Sequence, residues 1–66
     1  AALDLYEQSK NALASIFTLE QLGQMAAIRG ADTEARAYWQ RGLEISQSIG
    51  QADATRRIEY ELSRLD

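Results

Sequence analysis

Two short stretches, Gly30-Ala31-Asp32 and Gly50-Gln51-Ala52-Asp53, divide this 66-residue chain into long runs that contain no proline. A glycine just past a periodic run takes the left-handed conformation that closes a helix. An aspartate just after it favours the start of the next one. The runs themselves are built from Ala, Leu, Glu, Gln and Arg, which lose little on entering a helix. No stretch alternates as a strand does. The chain is therefore expected to be all-α. Its last three segments are joined by two to four residues, which forces antiparallel neighbours and helical hairpins laid side by side.

Four helices are predicted within one segment spanning 1–66, at about 3–14, 18–29, 32–49 and 53–65. In the first, Ala2, Leu5, Tyr6, Ser9, Ala12, Leu13 and Ile16 share a face at 100° per residue. A break over residues 14–18 is expected from β-branched Ile16 and Thr18. The run Thr18-Leu19-Glu20-Gln21 also has the form of a capping box. In the second helix, Ile16, Leu19, Leu22, Gly23, Ala26 and Ala27 form one stripe. Met25 and Ile28 lie off it, so this helix is expected to be covered from more than one direction. The third has the strongest period: Ala35, Tyr38, Trp39, Gly42, Leu43, Ile45, Ser46 and Ile49. Gly42 costs about 1 kcal/mol of helix propensity against Ala, which marks a close contact. Asp32 is read as the cap of this helix. Asp53 starts the fourth, with Ala54, Ile58, Leu62 and Leu65 inward.

Residues 16–49 resemble one tetratricopeptide repeat. Leu22-Gly23, Ala26-Ala27 and Gly30 match the first helix and turn of that family. Ala35, Trp39 and Gly42, followed by Leu43, match its second helix. A weak self-match at a spacing of 33 sets Ala2 on Ala35, Leu5 on Tyr38, Tyr6 on Trp39 and Ser9 on Gly42. The resemblance implies right-handed stacking of hairpins, with residues 1–13 as the second helix of a preceding repeat. The sequence departs from the family at Ala26, where an aromatic is usual, and in lacking the proline after the second helix. A spacing of 34 from Leu22-Gly23 falls on Arg56-Arg57, and the match returns only at Leu62-Ser63. The alternative architecture is a small three- or four-helix bundle.

Composition narrows the chemistry. With no Cys and no His, the chain has no thiol nucleophile, no disulfide and no imidazole base or ligand. The serines have no activating base, Ser9 and Lys10 diverge by 100° on a helix, and the glycines are too scattered for a phosphate loop. No catalytic residue, cofactor or metal is expected, and the chain is not expected to be an enzyme. A net charge of −3, with Glu59, Glu61 and Asp66 interleaved among Arg56, Arg57 and Arg64, argues against nucleic acid. The pairs Arg57–Glu61 and Tyr60–Arg64 read as helix-surface stabilisation. No run is apolar enough for a membrane span, and the N-terminal stretch carries acids where a signal peptide carries bases. A cytoplasmic setting is expected. The start at Ala1, without Met, suits a fragment of a longer repeat array as well as a processed chain.

What remains is contact with another protein. The resemblance carries partner-binding positions onto Phe17, Glu20, Gln24, Ala27 and Ile28. Periodicity alone finds the same surface, with Ala27 at its border. The competing reading is that Phe17 and Ile28 pack on a preceding helix. Three functions follow. The first is a scaffold or interaction module that binds a peptide or helix of a partner. The second is a structural or homo-oligomerisation bundle that buries Phe17, Met25 and Ile28 between identical chains. The third is a regulatory segment of a larger signalling or transcription protein.

Overall fold

A computed structural model describes the backbone over residues 2–65 and the side chains over residues 10–65. Three helices follow in order: α1 (Ala2–Ile28), α2 (Asp32–Ser48) and α3 (Ala52–Leu65). The inward face assigned to Ala2, Leu5, Tyr6 and Ser9 lies outside the described side chains, and the chain's last residue, Asp66, lies outside the described residues.

Both glycine stops form as the punctuation requires. Gly30 has φ of 80° and Gly50 φ of 73°. At the first, the Ala31 N–H donates to the Ala26 carbonyl (2.8 Å) and the Gly30 N–H to Ala27 (3.0 Å). At the second, Gln51 donates to Ser46 (2.9 Å) and Gly50 to Gln47 (3.3 Å). In each pair the outer N–H reaches back five residues and the inner one three, which satisfies carbonyls that a helix end leaves open. The starts differ from expectation by a residue. The cap of α2 is Ala31, with no side-chain cap bond, and Asp32 is the first helical residue. Its carboxylate still sits at the positive end of the helix dipole, with Glu34 in the same turn. Likewise α3 opens at Ala52, one residue before Asp53.

The break over residues 14–18 is absent, and α1 is a single helix of 27 residues. Thr18 is therefore not a cap, and residues 2–13 are not a separate helix of a preceding hairpin. The physical reason is the phase of the inward stripe. At 100° per residue, Ala12, Ile16, Leu19, Gly23 and Ala26 stay within about 80° of one another. Ile16, Gly23 and Ala26 are buried and Ala12 and Leu19 half-buried. One straight helix can thus serve one continuous face. A Thr cap contributes only about 1 kcal/mol, less than the backbone bonds a break would open.

The helices alternate in direction. α2 returns along α1, bringing Gly42 to Leu19 and Trp39 to Gly23. α3 returns along α2, bringing Ile58 to Gly42 and Thr55 to Ser46. The buried apolar core is Ile16, Ala26, Ala35, Trp39, Ala54 and Ile58, with Tyr38, Leu43, Ile45, Ile49, Leu62 and Leu65 packed around it. Small residues set the closeness of approach. A Cβ at Gly23 would overlap the Trp39 indole, and one at Gly42 would lie 3.2 Å from Ile58 Cδ1. Leu13, expected inward, is exposed. It lies at the very end of α2, since the pairing of Gly42 with Leu19 sets Ser48, the last residue of α2, beside Leu13 in an antiparallel pair.

Candidate protein-contact surfaces

α1 and α3 run parallel on one side of α2, with a groove between them. Trp39 of α2 forms its floor. One end, about 170 Å³, is lined by Glu20, Gln21 and Gln24 facing Arg57, Ile58 and Glu61. The other, about 330 Å³, is lined by Gln24, Ala27 and Ile28 facing Glu61, Arg64 and Leu65. The register is constant: Glu20 faces Arg57, Gln24 faces Glu61, and Ile28 faces Leu65, each 37 residues on.

Trp39 is 3% exposed. Its indole N–H donates to the Glu20 main-chain carbonyl at 3.3 Å, so the ring's one polar atom is satisfied where it is buried. Across the mouth, the Arg57 guanidinium donates to the Glu20 carboxylate at 3.1 Å. The expected Arg57–Glu61 pair is therefore replaced. Glu61 instead lies 4.0 Å from Arg64, and Arg64 sits 5.9 Å over the Tyr60 ring. Glu20 has no basic residue three or four away in its own helix. A basic residue on a neighbouring element is the partner left to it.

Of the five contact positions read from sequence, Glu20, Gln24, Ala27 and Ile28 line this groove. Phe17 does not line it. It stands one turn before Glu20, 63% exposed, while Ile28 is 82% exposed. The opposite wall and the floor, meaning Arg57, Glu61, Arg64, Leu65 and Trp39, were not legible as site residues. Their only trace was Glu20's missing partner. The groove offers the Gln21 and Gln24 amides, which both donate and accept, between two charged pairs and an aromatic floor. Among the described residues no group of acidic side chains could hold a metal ion.

α1 also has a back. Met25 is nine residues from buried Ile16, half a turn round the helix at 100° per residue. It is 60% exposed, and Leu22 beside it is exposed as well. From Asn11 to Ile28 the chain carries one charged residue, Glu20, and that carboxylate is turned into the groove. α3 by contrast has six charged residues in 14, and α2 five in 17. The water-facing sides of α2 and α3 are those of finished surfaces. The outward side of α1 is not.

No family model, no curated protein and no solved structure matches this chain.

Proposed function

We propose that this chain is a structural interaction module that works by self-association, with α1 as its contact helix. The observation that carries the reading is the one-sided distribution of charge. α1 leaves Leu13, Phe17, Leu22, Met25 and Ile28 open to water on a stretch whose one charge is spent inside the groove. Large exposed apolar groups gathered on one element, with charged faces elsewhere, mark the side on which another surface docks. Sedimentation equilibrium over a range of concentrations tests this. The apparent mass should rise from 7.4 kDa toward twice that value as concentration increases. A constant monomer mass up to about 1 mM would contradict it, because a weaker equilibrium carries under about 4 kcal/mol.

A second reading is supported by a different observation, the groove over Trp39. In hairpin proteins of the tetratricopeptide type, which residues 16–49 resemble, the corresponding helix face holds a peptide or helix of a partner. Four of the five positions carried over from that resemblance line the groove, and the Gln21 and Gln24 amides suit an extended backbone. On this reading Arg57→Ala together with Gln24→Ala should abolish retention of a partner peptide while leaving helix content unchanged. Retention at full strength in that variant would remove the groove from consideration.

A further inference from the structure

We propose that two copies of the chain pair through the back of α1 in an antiparallel seam made by Ala14, Thr18, Gln21 and Met25, with Asn11 and Ile28 at its ends. This rests on the self-association reading and gives it a geometry. The six residues are spaced 3, 4, 3, 4 and 3 apart, the spacing that keeps one stripe of a helix against another. All six are exposed. They span about 100° of the helix surface, centred opposite buried Ile16. The stripe runs through the Ser15–Leu19 stretch, so it exists only because α1 is unbroken there.

The occupant is a second copy for two reasons. First, the stripe contains no charge, so it can meet itself without like-charge repulsion, as an isologous interface requires. A hetero-partner is commonly steered and selected by complementary charge, and this stripe offers none. Second, the pattern is its own reverse. A two-fold axis midway between Thr18 and Gln21 sets Ala14 of one copy opposite Met25 of the other. The small side chain makes room for the long one, which is how facing positions interdigitate. The same axis sets Thr18 opposite Gln21, where a hydroxyl and an amide can hydrogen-bond. A polar layer at the centre, flanked by apolar layers, fixes register at some cost in affinity. Parallel pairing loses both matches, since it places Ala14 on Ala14 and Met25 on Met25.

The seam is separate from the groove, except that Gln21 and Ile28 border both. Its test uses the absence of cysteine from the natural chain. Chains with Ala14→Cys and with Met25→Cys are oxidised mildly, each alone and then mixed, with circular dichroism confirming helix content. The mixture should give a disulfide between the two different chains, and each variant alone should give little. In the antiparallel pair, equivalent Ala14 positions are about 16 Å apart along the axis, well past the roughly 7 Å that a disulfide spans between Cα atoms. Cross-linking of each variant to itself would overturn the antiparallel seam in favour of a parallel one. A mass that doubles with no cross-link in any sample would overturn the seam and leave self-association through another face. A monomer throughout would overturn both.

Discussion

Trp39 is the residue on which the two hairpins turn. It fills the space left by Gly23 on α1, floors the groove and caps its own N–H on Glu20. Trp39→Ala should therefore destabilise more than any other single aromatic truncation, by about 3–5 kcal/mol in denaturant unfolding. Gly23 and Gly42 look alike in sequence, each a glycine inside a helix, but should respond oppositely to alanine. A methyl at Gly23 has the rigid indole in its way, so Gly23→Ala should cost about 1–3 kcal/mol in spite of better helix propensity. At Gly42 the nearest atom is the flexible tip of Ile58. There Gly42→Ala should lie within about 1 kcal/mol of the parent, the gain of about 1 kcal/mol in propensity offsetting a small shift. Thermal or denaturant melts of the two variants side by side check the contrast. The Ser46–Thr55 contact is subtler. Ser46 Oγ lies 2.9 Å from the Leu43 carbonyl, Thr55 Oγ1 lies 2.9 Å from the Gln51 carbonyl, and the two hydroxyls are 2.8 Å apart. Two hydroxyl protons serve three contacts, so at any moment one of the three goes without a proton.

At the scale of the element, the sequence was most legible where its chemistry was unambiguous. Gly30 and Gly50 have no rival as helix stops, and both ends fall where they stand. The inward stripe of α2 was readable because Trp39, Gly42 and Ser46 keep one period without interruption. Thr18 misled because a Thr three residues before a Gln is compatible both with a cap and with a helix interior. The outcome was decided by packing along Ala12, Ile16 and Leu19, which local pattern does not weigh. The two possibilities differ in a measurable sign. As a cap, Thr18→Ala would cost about 1 kcal/mol; inside an exposed stretch of α1 it should gain about 0.5 kcal/mol. Melting at concentrations where the chain is monomeric reads the difference. Phe17 and Ile28, both outward, should tolerate the double change Phe17→Ser and Ile28→Ser with most helix content and the thermal midpoint retained, as followed by circular dichroism. Unfolding of that variant would make them core after all.

At the scale of the whole molecule, the three helices share one core but not one kind of surface. The α1–α3 groove escaped the sequence because its register of 37 joins unlike residues: Glu20 with Arg57, Gln24 with Glu61. Repeat searching finds like with like. The back of α1 was visible only in part, as Met25 and Ile28 lying off the main stripe, because its extent depends on α1 being continuous. The chain holds one methionine and one tryptophan, and they report on its two candidate surfaces: the Met25 methyl on the back of α1 and the Trp39 indole N–H beneath the groove. Nuclear magnetic resonance spectra recorded through a dilution series follow both at once. The Met25 methyl resonance should move with concentration along a binding curve while the Trp39 indole resonance stays in place. An unmoving Met25 signal up to about 1 mM, where even an equilibrium worth about 4 kcal/mol would register, would contradict self-association through α1.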